Sequence, residues 1–435
     1  MTTLTRVLDL AALPGGAIPA PARAMARFSL YDWMVCGRAG VGEPLSLALR
    51  QYLAAEGGHP VASVIGGGAM PARAAALANG ATSHALDYDD THFAHVGHQS
   101  VAIYPAALAV GEEVDASGAD VADAFLVGAE ASVRIGMQLG AVHYNRGFHQ
   151  TATAGAFGAT VAAGRLMRLT RAQMRAALGL CATRASGLRS QFGTMGKPYN
   201  AGIAAANGVE CAGLARAGFT SADDGLDGPQ GFVPTHSDAP VSAGVWDNPP
   251  PTRFQFEDVK YKLHACCHGT HAMIEALSVA MQGITPADIT AVYLRTSPRW
   301  LSVCDIKAPR TGLEVKFSYV WLAGMVLSGI PTASDRAYTD ALAADPALAT
   351  FAAKVSVTGD SAVGDMQAEG RIVLANGQSL PFAHDLGARV PAPELADSLR
   401  RKAASLIGDR AAQLWDAVAG LDGVSARDLG ALLRA

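Results

Sequence analysis

Residues 81–100 read ATSHALDYDDTHFAHVGHQS, and they concentrate three aspartates and four histidines in a chain of which only 17% is charged. The carboxylates of Asp87, Asp89 and Asp90 are too close together for all of them to be buried and ionised, because like charges raise each other's pKa. The stretch therefore either faces water or lines a polar cavity with cationic neighbours. Histidine beside carboxylate is suited to proton transfer near neutral pH. The alternative is a solvated loop before a helix, with Asp90 or Thr91 as its N-cap.

Helical patterns rich in alanine and glycine flank this stretch. The chain contains 47 glycines, and half of its 435 residues are hydrophobic, which favours a tight bundle of closely packed helices. Residues 71–79 predict a helix with Gly80 as its C-cap. Residues 101–111 predict a helix that is broken or kinked at Pro105, and residues 118–140 predict a long amphipathic helix.

The pattern changes after about residue 260, where strand signals appear between helices. Residues 289–296 (ITAVYLRT) and 355–357 (VSV) have the β-branched content of strands. Residues 370–383 contain Asn376-Gly377 between apolar alternations, which is a strong hairpin signal. From residue 393 the pattern is helical again, so the α+β segment reads as an insertion.

We therefore predict a mainly α fold. Both chain ends, residues 1–262 and 392–435, would form a large all-helical bundle domain, and residues 263–391 would form an inserted, smaller α+β domain.

Composition narrows the class of protein. The net charge of −4 gives no overall field that would attract nucleic acid or an anionic membrane. The first 16 residues lack the features of a signal peptide, and no apolar run is long enough to span a bilayer. The spacing of the six cysteines fits neither a zinc site nor a secreted disulfide framework. We expect a cytoplasmic protein with reduced thiols.

Three further polar clusters interrupt apolar surroundings, at residues 143–149 (HYNRGFH), 195–202 (MGKPYNAG) and 260–271 (KYKLHACCHGTH). Nine of the twelve histidines lie in the opening stretch and in the first and third of these clusters. Concentrated ionisable groups with lysines nearby indicate a pocket for a carboxylate substrate.

A metal site is the main alternative use of these histidines. His92, His95 and His98 are spaced by three and would partly share one face of a helix. Gly97 and the lack of apolar periodicity favour a loop instead, so we predict no metal site.

Two weaker motifs have ordinary structural explanations. Cys266 or Cys267 could serve as a nucleophile, but adjacent cysteines are more often buried packing residues. The segment around Lys197 lacks the spacing and the Ser/Thr of a phosphate-binding loop.

Taken together, four motifs resemble the MmgE/PrpD family. They are ALDYDDTH (85–92), GFHQTATAGAFGAT (147–160), GKPYNAGIAAANGVECAGLARAGF (196–219) and the K-x-H-A-x-C-x-x-x-H run that ends at His271. The run LEVKFS (313–318) also fits. The motifs occur in the family's order and cover most of the chain.

The resemblance implies a helical domain formed by both chain ends, an inserted α+β domain, an active site between them, a homodimer and no cofactor. It implies an acid/base enzyme that removes a proton next to a carboxylate of a small di- or tricarboxylate. A lyase similar to 2-methylcitrate dehydratase is the main expectation. An epimerase of an amino-dicarboxylate such as iminodisuccinate, or a cis-aconitate-type decarboxylase, is the alternative. Outside the family, a metal-dependent hydrolase and a non-catalytic carboxylate-binding protein stay open.

The resemblance also assigns roles to residues. Those expected to be catalytic are Asp87, His98, Tyr144, His149, Lys197 and Lys262. Those expected to bind substrate are Thr91, His264, Cys267 and Lys316. The two catalytic lysines would bind substrate carboxylates, His149 or His98 would be the base, another histidine or Tyr144 the acid, and Asp87 would orient a histidine or a lysine.

This sequence departs from the family's decarboxylases at several positions. Cys267 stands where they have a catalytic histidine, Trp321 where they have a tyrosine, and Asn200 where a histidine is common. These departures weaken a decarboxylase assignment, and His264 resembles the epimerase branch more closely.

Overall fold

A computed structural model describes residues 1–281 and 283–434 of the chain. The remaining two, Gln282 in the predicted α+β domain and Ala435 at the end of the predicted helical domain, lie outside the described residues. By its internal contacts the chain divides into two compact units, Met1–Tyr261 with Ile407–Ala435 (unit 1) and Lys262–Leu406 (unit 2). The predicted mainly α class is confirmed, whereas the predicted domain architecture stays a prediction.

Unit 1 is built from helices and one short two-stranded sheet. Its helices up to residue 261 are α1 (Thr3–Ala11), α2 (Ala20–Ala39), α3 (Pro44–Glu56), α4 (Ala72–Ser83), α5 (Ser100–Glu113), α6 (Gly118–Arg146), α7 (Gln150–Leu166), α8 (Arg171–Arg184), α9 (Gly196–Arg216) and α10 (Phe232–His236). The strands are β1 (Ala62–Ser63) and β2 (Ala69–Met70), which pair antiparallel. Across the described residues, none of the helices combines the length and apolar character that a bilayer crossing needs.

Unit 2 combines helices with a mixed sheet. Its helices are α11 (His271–Ala280), α12 (Pro298–Cys304), α13 (Gly312–Val315), α14 (Tyr319–Leu327), α15 (Asp340–Ala343) and α16 (Pro346–Ala352), and α17 (Ala392–Ile407) then leads to α18 (Arg410–Ala419) and α19 (Ala426–Leu433) in unit 1. The sheet has the order β4-β3-β5-β6, with β3 (Ile289–Thr296), β4 (Val355–Gly359), β5 (Gln367–Leu374) and β6 (Ser379–Asp385). Strands β3 and β4 are parallel and the other neighbours antiparallel.

The predicted strands and hairpin are confirmed. Strand β3 covers the predicted residues 289–296, and β5 and β6 form the hairpin around Asn376-Gly377. Gly377 adopts φ +83°, a left-handed conformation that costs glycine little. The turn closes with backbone hydrogen bonds on both sides of it.

Helices α4 and α9 of unit 1 cross closely at two glycines. A methyl group on Gly80 would lie 2.8 Å from the Cα of Gly202, and one on Gly202 would lie 2.4 Å from the carbonyl oxygen of Leu77. The prediction that Gly80 caps the helix is wrong, because α4 continues to Ser83. Gly80 is needed inside the helix, since only a residue without Cβ permits this approach of two backbones.

Pro105 lies within α5, which continues through it, so the predicted break is wrong, whereas the alternative of a kink stays a prediction. A proline removes the donor that would bond to the carbonyl four residues earlier, here Val101. That carbonyl oxygen lies 3.0 Å from the position of a Cβ at Gly80. The released carbonyl therefore faces the backbone of Gly80 in α4, where a side chain would leave it too little room.

The helix predicted over 118–140 extends six residues further, as α6, but its backbone is interrupted at the predicted end. Gly140 has φ +67° and ψ −172°, which is not helical. Its carbonyl oxygen accepts a hydrogen bond of 3.1 Å from the side-chain amide of Gln150. The last turn of α6 therefore changes direction at Gly140, just before the predicted HYNRGFH cluster.

His143, in this last turn, is a buried and neutral histidine. Its Nδ1 donates to the carbonyl oxygen of His236 at 2.9 Å, and its Nε2 lies 2.9 Å from the hydroxyl of Thr153. The ring stacks on Phe148 with centroids 4.4 Å apart. Burial lowers the pKa of His143 to about 4. Both ring nitrogens are thus satisfied without a charge.

The helix crossing predicts a large effect of one methyl group. We expect Gly202→Ala to destabilise the protein by about 1–3 kcal/mol, because the added Cβ overpacks the contact with Leu77. The control is Gly213→Ala on the same helix, where a Cβ meets nothing within 4 Å. The midpoint of urea unfolding should fall for the first variant only, and equal midpoints would contradict the proposed close packing.

The neutral His143 predicts loss of stability in acid. His143 has a pKa of about 4 in the folded protein, whereas in the unfolded chain its pKa is near 6.5. The unfolded chain therefore binds a proton at a higher pH than the folded protein does. The stability that the neutral ring contributes is fully present above pH 6.5 and is lost as the pH falls from 6.5 to about 4. It amounts to about 1.4 kcal/mol per pH unit. His143→Gln should flatten the fall in urea midpoint between pH 6.5 and pH 5, and substitution of the exposed His59 by Gln should not. Parallel pH curves for the two variants would count against a neutral His143.

Candidate active site

The acid/histidine stretch forms the connection between α4 and α5, and it is folded into unit 1. Its backbone pairs with a distant segment through hydrogen bonds between Thr91 and Lys260 in both directions, at 2.7 and 2.8 Å. Most of its side chains are buried. The solvated-loop alternative is therefore wrong. Thr91, expected to bind substrate, is half-buried and fixed by its backbone.

Asp90 fixes the start of α5 from ten residues away. Its carboxylate accepts hydrogen bonds from the backbone N–H of Ser100 at 3.1 Å and from the Ser100 hydroxyl at 2.5 Å, and the hydroxyl of Ser29 lies 3.3 Å away. Burial raises the pKa of Asp90. Asp90 thus satisfies donors at the helix start, as the capping alternative implied, although Gln99 occupies the N-cap position itself.

The three histidines weighed as metal ligands have different partners. His92 Nε2 donates to the carbonyl oxygen of Gln255 at 2.8 Å, and His95 Nε2 lies 3.2 Å from the hydroxyl of Ser132. His98 alone contacts carboxylates. A site made of His92, His95 and His98 does not form in the described structure.

Asp89 is a fully buried carboxylate between two histidines. Its Oδ1 accepts a hydrogen bond of 2.7 Å from His84 Nδ1, and its Oδ2 lies 2.8 Å from His98 Nδ1, although that ring N–H is not aligned on the oxygen. Burial opposes ionisation, but the facing rings of His84 and His98 outweigh it and hold the pKa of Asp89 well below its ordinary value. Burial lowers the pKa of His84, so this ring donates as a neutral group.

Asp87 extends this arrangement toward solvent. Its Oδ2 lies 2.6 Å from Lys197 Nζ, and its Oδ1 lies 3.6 Å from His98 Nε2. The side chain of Asp87 is 40% exposed, and that of Lys197 is 15% exposed. Asp87 has φ +51°, a conformation that is uncommon outside glycine but tolerated by aspartate. The backbone thus turns the carboxylate of Asp87 toward the lysine at the accessible edge of the cluster.

His149 lies beside the same cluster as the N-cap residue of α7. Its ring is parallel to that of His84 at a centroid distance of 6.2 Å and meets Phe192 edge-on at 5.0 Å. Its Nδ1 lies 3.2 Å from Nδ2 of Asn200. Burial, reinforced by the nearby positive groups, holds the pKa of His149 well below its ordinary value. The ring is therefore neutral at pH 7.

Two helices begin at this cluster. His149 precedes the first turn of α7, and Lys197 lies in the first turn of α9. The hydroxyl of Thr151 in α7 accepts a hydrogen bond of 3.0 Å from the backbone N–H of His98, which ties the loop to the helix start. Helix N-termini carry partial positive charge and favour anions. The surroundings of the neutral His149 are thus suited to a carboxylate.

Four side chains of the cluster have the donor types and spacing of a metal site. One ligand atom each from His84, Asp87, Asp89 and His98 lies within 4.8 Å of all the others. Lys197 already provides a positive charge beside the carboxylate of Asp87, and the carboxylate of Asp89 already accepts a hydrogen bond from His84. A divalent ion would have to displace both contacts.

The expected site residues Tyr144 and Lys316 each contact another side chain. In unit 1, the half-buried Tyr144 lies under the guanidinium of Arg189, which is 3.8 Å from its ring centroid. In unit 2, Lys316 forms an ion pair with Asp335.

Unit 2 also contains the other three expected residues. Lys262 is buried, and the half-buried Cys267 donates its backbone N–H to the carbonyl oxygen of residue 316 at 3.1 Å. His264 lies between Glu275, 3.1 Å from its Nε2, and Thr332, 2.8 Å from its Nδ1. The hydrogen bond with His264 lowers the pKa of Glu275, and its effect is larger than the opposing effect of burial.

Sequence reasoning missed three residues of the cluster. His84 and Asp89 lay in the quoted stretch, but nothing in their spacing separates them from their neighbours, because the connection is irregular. Asn200 was noted only as a departure from the family pattern. Its position three residues after Lys197, one helical turn away in α9, was the signal that would have placed it beside the site.

Comparisons with known proteins agree with the motif analysis. Residues 10–242 match the MmgE/PrpD N-terminal domain, and residues 264–416 match the MmgE/PrpD C-terminal domain. The chain is 31% identical over 288 residues to a cis-aconitate decarboxylase of Aspergillus terreus, which covers 62% of this chain and 58% of that protein. It is 30% identical over 281 residues to the cis-aconitate decarboxylase-like protein oryM of Aspergillus oryzae, covering 60% of this chain and 57% of that protein.

A human cis-aconitate decarboxylase is 32% identical over 174 residues, which cover 38% of this chain and 35% of that protein. The matched region thus spans less than two thirds of the length of these curated relatives. The two domain matches together extend over most of the sequence and follow the order of the quoted motifs. The resemblance is confirmed, and this chain belongs to the MmgE/PrpD family.

Proposed function

We propose that this chain is an acid/base enzyme that removes a proton from the carbon next to a carboxylate of a small di- or tricarboxylate. The observation that carries the proposal is the neutral, buried His149 beside the accessible Asp87–Lys197 pair. A neutral imidazole and a lysine ammonium within one cluster are the groups that such a reaction needs, because the first exchanges protons at neutral pH and the second binds a carboxylate.

The chemistry explains why cationic groups surround the histidines. A proton next to a carboxylate is weakly acidic, so the enzyme must stabilise the negative charge that develops on the enolate oxygen. Lys197 would bind a substrate carboxylate from the accessible edge, where the helix starts of α7 and α9 also favour negative charge. His149 or His98 would take the proton, and Asp87 would orient Lys197. Lys262, assigned to a second carboxylate contact, stays a prediction from the family motif.

Among reactions of this type we propose a lyase similar to 2-methylcitrate dehydratase, without a cofactor. The relatives named cis-aconitate decarboxylase favour decarboxylation as the second candidate. The replacement of their histidine by Cys267 speaks against it. Epimerisation of an amino-dicarboxylate is a third candidate, supported by His264 in the fourth motif. A homodimer and a cytoplasmic location are further proposals that rest on the family resemblance and the composition.

The proposal predicts exchange of a carbon-bound hydrogen with solvent. The purified protein in heavy water should introduce deuterium into one member of a panel of citrate-like acids and amino-dicarboxylates, as measured by NMR and mass spectrometry. Analysis of the same samples separates loss of water, loss of carbon dioxide and inversion. Binding of an acid without any deuterium uptake or product would instead identify a non-catalytic carboxylate-binding protein.

Substitutions in the cluster should lower the exchange rate without unfolding the protein. We expect a loss of about 100-fold or more for His149→Gln, the usual contribution of an acid/base group. We expect about 10- to 100-fold for Lys197→Met, through loss of a charge-assisted hydrogen bond. His59→Gln and Lys307→Met alter exposed residues of the same types and should exchange at the native rate. Native rates in either cluster variant would remove that residue from the mechanism.

A metal-dependent reaction is tested on the same samples. Elemental analysis together with exchange measured after treatment with a chelator would detect a functional ion at the four-residue group of His84, Asp87, Asp89 and His98. We expect the exchange rate to be unchanged by the chelator, because Lys197 supplies the positive charge. Loss of exchange that returns with added metal would contradict this.

A further inference from the structure

We propose that Asn200 fixes His149 in the tautomer with its proton on Nε2, so that His149 donates a hydrogen bond to the substrate and is not the base. Asn200 is a positioning residue in this proposal, and the assignment of a catalytic role to His149 rests on the proposed function. The tautomer itself follows from contacts within unit 1 alone.

The orientation of the Asn200 amide is set by a backbone carbonyl. Its Nδ2 lies 3.2 Å from the carbonyl oxygen of Leu188. A carbonyl oxygen only accepts hydrogen bonds, so the amide nitrogen must face it, because the flipped amide would place two oxygens together. The same nitrogen lies 3.2 Å from Nδ1 of His149 and has a second N–H for it. Nδ1 of His149 therefore accepts a hydrogen bond.

A neutral imidazole carries one hydrogen, on one of its two nitrogens. Burial keeps the His149 ring neutral, and Nδ1 is the acceptor, so the hydrogen is on Nε2. Among residues 1–281 and 283–434, no hydrogen-bond partner of Nε2 is found. This N–H is available to an oxygen of the substrate. The N–H on Nε2 of His149 can donate a hydrogen bond to the enolate oxygen, and this donation does not require the proton to leave the ring.

The role of base then passes to His98. Its Nδ1 lies 2.8 Å from Oδ2 of the ionised Asp89, and although the ring N–H is not aligned on that oxygen, so close a carboxylate favours a hydrogen on Nδ1 over a lone pair there. The nitrogen left to take a proton is Nε2, which is 3.6 Å from Asp87, beyond hydrogen-bond distance. His84 has the same tautomer, but its Nε2 is sealed inside the protein.

The resulting step balances without a co-reactant. Nε2 of His98 takes the proton from the carbon next to the carboxylate, and the electron pair of that C–H bond moves into the enolate. The enolate oxygen then accepts the hydrogen bond from Nε2 of His149. Asn200 and Asp89 thus give the two histidines opposite tautomers and separate the donor from the base.

The test reads the tautomer directly in the full-length protein labelled with 15N-histidine, by long-range 1H–15N correlation at pH 7. The His149 signal is identified as the one lost in His149→Gln. We expect the native protein to show a ring with unprotonated Nδ1 and protonated Nε2. A native His149 ring that is protonated at Nδ1, or at both nitrogens, overturns the proposal.

Asn200→Asp replaces the N–H donor by an acceptor of the same size. We expect the hydrogen of the neutral His149 ring to move from Nε2 to Nδ1 in this variant, which removes the donor facing the substrate, and deuterium exchange to fall by about 100-fold or more. The matched control is Asn207→Asp, two turns further along α9, where the native Nδ2 donates to the carbonyl oxygen of Arg184 at 2.9 Å. The control should keep the native His149 spectrum and exchange rate.

The outcomes separate the two proposals. An unchanged His149 spectrum in Asn200→Asp overturns the role of Asn200, and a changed spectrum with native exchange overturns the donor role of His149. If the native protein exchanges no acid of the panel but shows the expected tautomer, the proposed function fails while the tautomer assignment stands, because the spectrum needs no substrate. If Asn200→Asp does not fold, the native spectrum alone still decides the tautomer.

Discussion

The contact between Gly80 in α4 and Gly202 in α9 places the candidate site. Each glycine lies a few residues from the site, since Gly80 is followed by His84 and Gly202 is preceded by Lys197 and Asn200 along α9. Because the two backbones touch at this crossing, the end of α4 and the start of α9 are held a fixed distance apart. Close contacts between side chains of the site, such as the 2.6 Å between Asp87 Oδ2 and Lys197 Nζ, depend on that distance.

Much of the fold was predictable from local patterns. The helices and strand β3 followed from periodicity, and the hairpin followed from Asn376-Gly377, because the determinants of these elements lie within a few residues. The cap at Gly80 and the break at Pro105 were wrongly predicted for the opposite reason. As local signals both residues end helices, but Gly80 lies inside α4, where the crossing with α9 requires a residue without Cβ, and α5 continues through Pro105 beside it. Such an environment is not visible in a single stretch of sequence.

The candidate site shows the same division. Asp87, His98, His149 and Lys197 were singled out by residue type and motif, and the structure gathers them in unit 1. Tyr144 was chosen for its chemistry, yet its ring faces Arg189. The role of Asn200 depends on the carbonyl of Leu188, twelve residues away and outside its helix. No spacing rule connects those two groups, so this part of the site could only be found in the folded chain.

Asp89 and Asp90 show how much of the chemistry depends on direction and not on residue type. Both are adjacent in sequence and fully buried. Asp90 accepts hydrogen bonds from hydroxyl and backbone donors, and its burial raises its pKa, as expected for a group that holds a helix start in place. Asp89 faces two imidazole rings, which reverse the effect of burial and keep it ionised. The two side chains have different partners, so one aspartate supports the helix while the other faces the histidines. Asp90 thus anchors the loop to the start of α5, and its immediate neighbour Asp89 places a negative charge beside the histidines of the candidate site.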